Sequence, residues 1–370
     1  MSKPPASQRS WRDRWLDLRD RWLADEKFHH FAKRFAPTRF MVRKRSRGLF
    51  DIVAGFTYSQ ILYACVRLGI FDILANGPLS AAQIAQAISW REHDALRLLR
   101  AAAALELVQA RSGALYGLGI HGAALVGNPW IMAFVEHNAL LYADLADPVG
   151  LLCGGSSKTA LRQYWGYAAL DAETVPYTKL MAASLDAIAA EILPAYDFGK
   201  HRTLLDIGGG DGTFVAALAA RHPNLDFLLF DLPSVAARAR LLLKDRGLEH
   251  RVRVTGGRFP DDPLPHGADV ATLVRVVHDH DDPVVVKLFA ALRKVLPEHG
   301  ALVVAEPMAG IRGVDAYFGC YFAAMGSGRP RSAAEICDLG RRAGFARCRE
   351  LRTVDPLVAS AVVLSSVNAN

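Results

Sequence analysis

The stretch from Thr203 to Phe214, TLLDIGGGDGTF, constrains the fold more than any other part of this chain. Residues 203–207 are a short apolar run of the kind that forms a buried parallel strand. It leads into Gly208, Gly209, Gly210 and Gly212, and then into helical periodicity over 214–221. Strand, glycine turn and helix in that order build a nucleotide-sized crevice in an α/β sheet, because glycine lets the backbone approach a ligand closely. A second apolar strand over 227–230 ends in Asp231, at the spacing expected of an acid that holds a ribose diol.

The glycine spacing narrows the ligand. A dinucleotide fingerprint, G-x-G-x-x-G, would need glycine where Thr213 stands, and a P-loop would need Gly-Lys-Ser/Thr. The turn has no Arg or Lys to meet a phosphate, and an acid, Asp206, precedes the glycines. This D-x-G-x-G-x-G pattern resembles motif I of the S-adenosylmethionine-dependent methyltransferases. Their cofactor is a cationic sulfonium with an amino-acid tail, which an acidic, phosphate-free loop suits.

The 370 residues give room for two domains and a substantial core, and 51% apolar with 22% charged residues is ordinary for a soluble globular protein. No uninterrupted apolar run reaches the ~18 residues of a membrane span, and no signal-peptide core is visible at the front. The five cysteines are scattered without a C-x-x-C, which reads as buried reduced thiols in a cytoplasm. No Cys or His pair has metal-ligand spacing, so no metal site is expected. The net charge of +7 is unevenly placed. Residues 1–50 hold 14 Lys/Arg against 5 Asp/Glu, while the remaining residues hold 30 against 32.

That basic arm, 1–50, places Trp11, Trp15, Leu18, Trp22 and Leu23 on one helical face amid arginines, with a second basic cluster from Arg39 to Arg47. Tryptophan and basic residues on one amphipathic helix suit a membrane interface with anionic lipids; packing against the body or a partner subunit is the other reading. Residues 51–150 follow a winged-helix order: helical 56–68, LGIFDIL, a capped helix from Ser80 over 81–87, a helix over 92–107 and a hairpin over 108–120. The face of 92–107 is alanine and leucine with few groups to read bases. It is expected to pair with another subunit, giving a homodimer and no nucleic-acid binding.

Residues 151–198 are expected to be a helical connector. From 199 to 370 strands and helices alternate as an α/β, doubly wound Rossmann-like sheet: strands at 203–207, 226–230, 251–255, 269–277 and 301–305, and a strand pair near 345–352 and 359–365. Pro283 behind Asp282 reads as an N1 proline after an N-cap. Ligands bind beyond the carboxyl ends of such strands. There the sequence places His278-Asp279-His280 after one strand and Glu306 after another, a base and a carboxylate to orient it.

L-V-R-V-V-H-D-H followed by V-V-A-E-P resembles the catalytic segment of the small-molecule O-methyltransferase family typified by plant caffeate and flavonoid enzymes. The winged-helix front, LLFDLP around Asp231 and GRPRSAAEI near 328–336 resemble it too, so the likeness covers about 50–365. It implies a domain-interlocked homodimer, S-adenosylmethionine as donor and a His base. The base role falls on His278, with Glu306 or Asp279 to hold its ring. The cofactor role falls on Asp206, Gly208, Gly210, Asp231, Phe259 and Arg275. Two departures stand out. Arg258 replaces the acid that contacts the adenine edge at the third motif, and Pro330 replaces a second glutamate that steers the histidine.

WRDRW…FMVRKRSRGLFDIVAGFTYSQILYACVRLGIFD is similar to the front of a purple-bacterial branch of that family, which methylates the tertiary 1-hydroxyl of acyclic carotenoids. A polyene acceptor dissolved in the bilayer gives the basic tryptophan arm a purpose: peripheral contact with the cytoplasmic face of the inner or photosynthetic membrane. Met181, Tyr317, Tyr321 and Met325, with Phe318 and Phe322, are expected to line an apolar acceptor site. Methylation of another apolar acceptor, such as a bacteriochlorophyll precursor or polyketide phenol, and a ligand-sensing DNA-binding regulator are the alternatives.

Overall fold

The computed structural model describes residues 10–28, 31, 35–154, 158–169 and 175–366, with the side chains of 36, 37 and 166–183 outside that description. Contacts divide the chain into two compact units, one ending at Ala124 and the other beginning at Leu125.

In the first unit, Ser10 opens helix Trp11–Ala24 through a reciprocal capping box with Asp13. The expected tryptophan face is present and uncovered: Trp11, Trp15 and Trp22 are 77%, 57% and 55% exposed. Helix Ala36–Arg67 follows. By length and composition its segment Thr38–Arg67 is long and apolar enough to cross a membrane, although it holds no uninterrupted apolar run of ~18 residues. Asp51 and the small polar residues interrupt the apolar run without outweighing it along a continuous helix. Leu49, Phe50, Ile52, Val53 and Phe56 on this helix are exposed. Ser80 then caps helix Ala81–Ala87 through Gln83, and helix Glu92–Ala104 packs beside it. Strands β1 (Leu79–Ser80), β2 (Val108–Arg111) and β3 (Leu115–Leu118) form an antiparallel sheet in the order β1-β3-β2, the wing expected from the hairpin.

The second unit is built on seven strands: β4 (Thr203–Ile207), β5 (Asp226–Asp231), β6 (Val252–Gly256), β7 (Val270–Val274), β8 (Ala301–Glu306), β9 (Arg347–Leu351) and β10 (Ser360–Ser365), in the order β6-β5-β4-β7-β8-β10-β9. From β6 through β8 the pairings are parallel, and β10 runs antiparallel to both β8 and β9. Every side chain of β7 and β8 is buried, as a sheet covered on both faces requires. Phe214, Phe227 and Leu229 fill one layer and Phe230, Phe289 and Ile336 the other. The chain steps outward from β4 to β5 and β6, then returns past β4 to β7 and on to β8, and this reversal beside β4 opens the crevice beyond the carboxyl ends of the strands.

Three local expectations are corrected. The strand expected over 269–277 stops at Val274. Arg275 keeps one ladder bond, its N–H to Ala305 O at 2.8 Å, but takes a left-handed φ of 56° that turns the chain, so His278 sits in a 3₁₀ turn, Val277–Asp279. The N-cap of helix Asp282–Val295 is Asp281, one residue earlier than read. The aromatic stretch near 317–325, given no secondary structure of its own above, lies on one helix, Arg312–Met325. Cys337 and Cys348 are bonded rather than reduced, because packing of helix Ala333–Arg342 on β9 brings their Cα atoms to 5.5 Å. Cys153 is exposed.

Candidate active site

A cavity of about 400 Å³ opens where β4, β5 and β7 end, within the range of small-molecule sites. Its floor is the glycine turn. Gly208 has φ +68°, and a Cβ there would stand 2.6 Å from Val276 Cγ2, so only glycine fits. Gly210, also left-handed at φ +60°, has open space where its side chain would be.

Two acids face this floor. Asp231 Oδ2 accepts the Gly210 N–H at 2.8 Å and Oδ1 accepts the Leu232 N–H at 2.7 Å, fixing the carboxylate at the strand end with lone pairs to spare. Burial raises its pKa to about 6, opposed by those two bonds. Asp206 is fully enclosed. Its Oδ1 accepts from Thr272 Oγ1 at 2.7 Å, while Oδ2 has no partner among the described residues. Burial pushes it up to about 7 despite the Thr272 bond. A buried acid with an idle oxygen beside a cavity is what a cationic ligand satisfies, since the ligand returns the electrostatic stabilisation that desolvation removed. Phe259 and Arg258 also line this cavity, the phenyl ring edge-on to His280 at 5.1 Å. The residues present thus fit a cofactor that combines a cation, a ribose and a flat base.

A second, apolar cavity of about 250 Å³ lies among Trp130, Phe134, Ile188, Tyr317, Phe318 and Leu357. Arg275 borders both cavities, its Nη1 donating to Ser184 Oγ at 2.6 Å. The carboxylate-bearing crevice and the apolar pocket therefore share one cationic wall.

The structure distributes the expected acceptor residues unevenly. Tyr317 lines the apolar cavity and donates to Asn138 Oδ1 at 2.6 Å. Met325 lines the polar cavity instead. Tyr321 borders neither: its oxygen accepts from Trp165 Nε1 at 3.1 Å and lies 2.7 Å from His137 Nε2, in a buried aromatic cluster. The Met181 side chain lies outside the described residues.

His278 is only 3% exposed and borders neither cavity in this structure; Phe318 and Phe322 flank its ring at 6.1 and 5.0 Å. Its N–H donates to Glu306 Oε2 at 3.0 Å, but its ring Nδ1 stands 4.0 Å from that oxygen. Glu306 therefore holds the main chain of His278, not its imidazole. Nε2 approaches Asp279 Oδ1 at 3.4 Å. Burial, reinforced by the Arg275 and Arg331 charges, keeps the imidazole well below its ordinary pKa and hence neutral. Burial lifts Glu306 to about 8 and Asp279, which borders the polar cavity, to about 7.

Sequence reasoning passed over Arg331, a fully buried guanidinium bonded to the loop around His278. Its only signal was the unusual G-R-P-R cluster beside Pro330.

Residues 142–346 match the O-methyltransferase domain, and residues 50–126 match the O-methyltransferase dimerisation domain, which supports a homodimer. Demethylspheroidene O-methyltransferase of Cereibacter sphaeroides is 40% identical over 92% of this chain and 93% of its own length. The Rhodobacter capsulatus protein of the same name is 38% identical over 91% of this chain and 86% of its own. Among solved structures, CalO1, a methyltransferase in calicheamicin biosynthesis in its SAH-bound form, superposes with a TM-score of 0.74 at 26% identity, covering 88% of this chain and 98% of that one. With the glycine turn, the paired acids and the domain order all in place, this chain belongs to the S-adenosylmethionine-dependent O-methyltransferase family.

Proposed function

We propose that this protein methylates the tertiary 1-hydroxyl of an acyclic carotenoid such as demethylspheroidene, with His278 as general base. The observation that carries the reading is the apolar cavity sharing its Arg275 wall with the acidic crevice, in a chain whose named relatives act on that polyene. S-adenosylmethionine, when bound, supplies an electrophilic methyl group. Asp206, the Gly208–Gly210 backbone, Asp231, Phe259 and Arg275 are the groups that would hold it.

The acceptor end group enters among Trp130, Phe134 and Tyr317, and displaces Phe318, whose ring lines the cavity and lies 6.1 Å from that of His278. A tertiary alcohol is a weak acid, so the base cannot ionise it beforehand. The neutral imidazole instead takes the proton at Nε2 as the oxygen attacks, and Asp279 stabilises the imidazolium that forms. Positioning supplies much of the rate.

The same reading places the protein on the cytoplasmic face of a membrane that holds its acceptor. Support comes from the uncovered tryptophans of helix Trp11–Ala24 and from Leu357, which lines the apolar cavity yet is 55% exposed beside the 89%-exposed Val354. The test is methyl transfer from labelled S-adenosylmethionine to demethylspheroidene in vesicles, beside a bacteriochlorophyllide and a catechol. Labelled methoxy-carotenoid is expected. Transfer only to another acceptor would overturn the carotenoid assignment.

A further inference from the structure

Arg331 is the largest fully enclosed side chain among the described residues, at 0% exposure. A guanidinium cannot shed its proton, so enclosing it demands partners for its fixed fork of donors. All of the described partners of the guanidinium lie in one short segment, 277–282, which ends on the first residue of helix Asp282–Val295. Nη1 donates to Val277 O at 2.8 Å and Nη2 to His280 O at 2.7 Å; Nε and Nη2 both reach Asp282 Oδ1, at 2.9 and 2.6 Å. The fork thus grips the main chain on both sides of His278.

The segment that carries Arg331 closes on the same turn. The Arg329 N–H donates to His278 O at 2.9 Å, and a Cβ on Gly328 would fall 2.1 Å from that oxygen. From the other side Glu306 takes the His278 N–H at 3.0 Å. Pro330 brings no side-chain donor or acceptor, and Nδ1 of the imidazole has no partner among the described residues. The residue is therefore held largely through its backbone, and the nearer carboxylate to the ring is that of Asp279, 3.4 Å from Nε2.

We infer that Arg331 is a positioning residue for methyl transfer: by fixing the carbonyls of Val277 and His280 it sets where the His278 imidazole stands. This rests on His278 being the base. Arg331 itself borders neither cavity. Lysine at 331 would keep the charge but present a point donor in place of the fork.

The test uses full-length protein carrying Arg331→Lys, Arg331→Met or His278→Asn. Readouts are turnover of demethylspheroidene, cofactor affinity and the His278 Cε1–H resonance as pH varies. The charged and titratable groups facing the ring are Arg275, Asp279, His280, Glu306 and Arg331. Arg331→Lys is expected to lose at least tenfold in kcat with KM and cofactor affinity within twofold, and to shift the His278 resonance. Arg331→Met, which also removes a cation, raises the imidazole pKa as well. Wild-type kcat, or an unmoved resonance, in a folded Arg331→Lys protein overturns the inference. So does parallel loss of cofactor affinity and thermal midpoint, which marks a purely structural arginine. If both 331 variants fail to fold, Asp282→Asn loosens the same fork from a half-exposed partner, and an unmoved His278 resonance there overturns the inference. Full turnover in His278→Asn would defeat the base assignment separately. If wild-type protein transfers no methyl to the carotenoid, the resonance still decides the role of Arg331.

Discussion

The main-chain N–H of His278 donates to Glu306 Oε2 at 3.0 Å, while the imidazole Nδ1 stands 4.0 Å from the same oxygen. With its pKa raised to about 8 by burial, Glu306 is mostly protonated at pH 7. A neutral amide can then do its work. Glu306→Gln should keep turnover within a few-fold. Glu306→Ala should strand a buried N–H, at a cost of about 1–3 kcal/mol, and drop kcat by roughly a hundredfold. Equal loss in both variants would show that the negative charge is needed.

For the base itself, His278→Ala should lower kcat by about 10²–10⁴ and leave cofactor affinity unchanged, because the ring touches no part of the polar cavity. Calorimetric titration of the variant with S-adenosylmethionine makes the separation. Lost binding would assign His278 to structure.

The acids of the crevice give a pH signature. Folded pKa values of about 7 for Asp206 and about 6 for Asp231 lie above the ordinary 3.8. Each therefore favours the cofactor-free fold most below pH ~4, and that contribution fades as pH rises through 6 and 7. A cationic ligand prefers the ionised acids, so its binding runs the opposite way. Cofactor affinity should tighten from pH 5.5 to 8 while the thermal midpoint of the free protein falls. Asp206→Asn should flatten the upper part of the affinity curve. A pH-independent affinity would remove both acids from cofactor binding.

Much of this site was legible because its constraints are local. The glycine turn needs left-handed residues at fixed spacing, and the acids close strands, so Asp206, Gly208, Gly210 and Asp231 could be placed from the sequence. What escaped depends on contacts far apart along the chain. Arg331 braces a loop some fifty residues earlier, and arginines of such sequence are usually solvated. Tyr321 stands outside both cavity linings, because a helix facing an acceptor and a helix facing His137 and Trp165 carry the same aromatic pattern. The early end of β7 at Arg275 had no glycine to announce it, and the Cys337–Cys348 bond follows from helix-on-strand packing.

The two glycines of the turn should separate stability from binding. Gly208→Ala meets Val276 at 2.6 Å and adopts a positive φ, so it should lower stability by about 1–3 kcal/mol, seen as a reduced thermal midpoint. Gly210→Ala has only the backbone strain, about 1 kcal/mol, because nothing lies within 4 Å. Its methyl would stand in the space a ligand needs. It should lose more cofactor affinity than stability, and the reverse order would mean the cofactor does not approach Gly210.

The N-terminal helix offers the clearest test of membrane contact. No side chain of Trp11–Ala24 is buried, and tryptophan left in water forfeits more apolar burial than most residues. An interface recovers that burial while the surrounding arginines meet anionic headgroups at ~1 kcal/mol each. Replacing Trp11, Trp15 and Trp22 by serine should weaken co-sedimentation with phosphatidylglycerol vesicles at least tenfold, leaving cofactor affinity and the thermal midpoint unchanged. Wild-type binding should also weaken as salt rises, because headgroup attraction is screened within about 10 Å at 0.1 M. Vesicle binding that ignores both the tryptophans and salt would assign this helix to a protein partner instead.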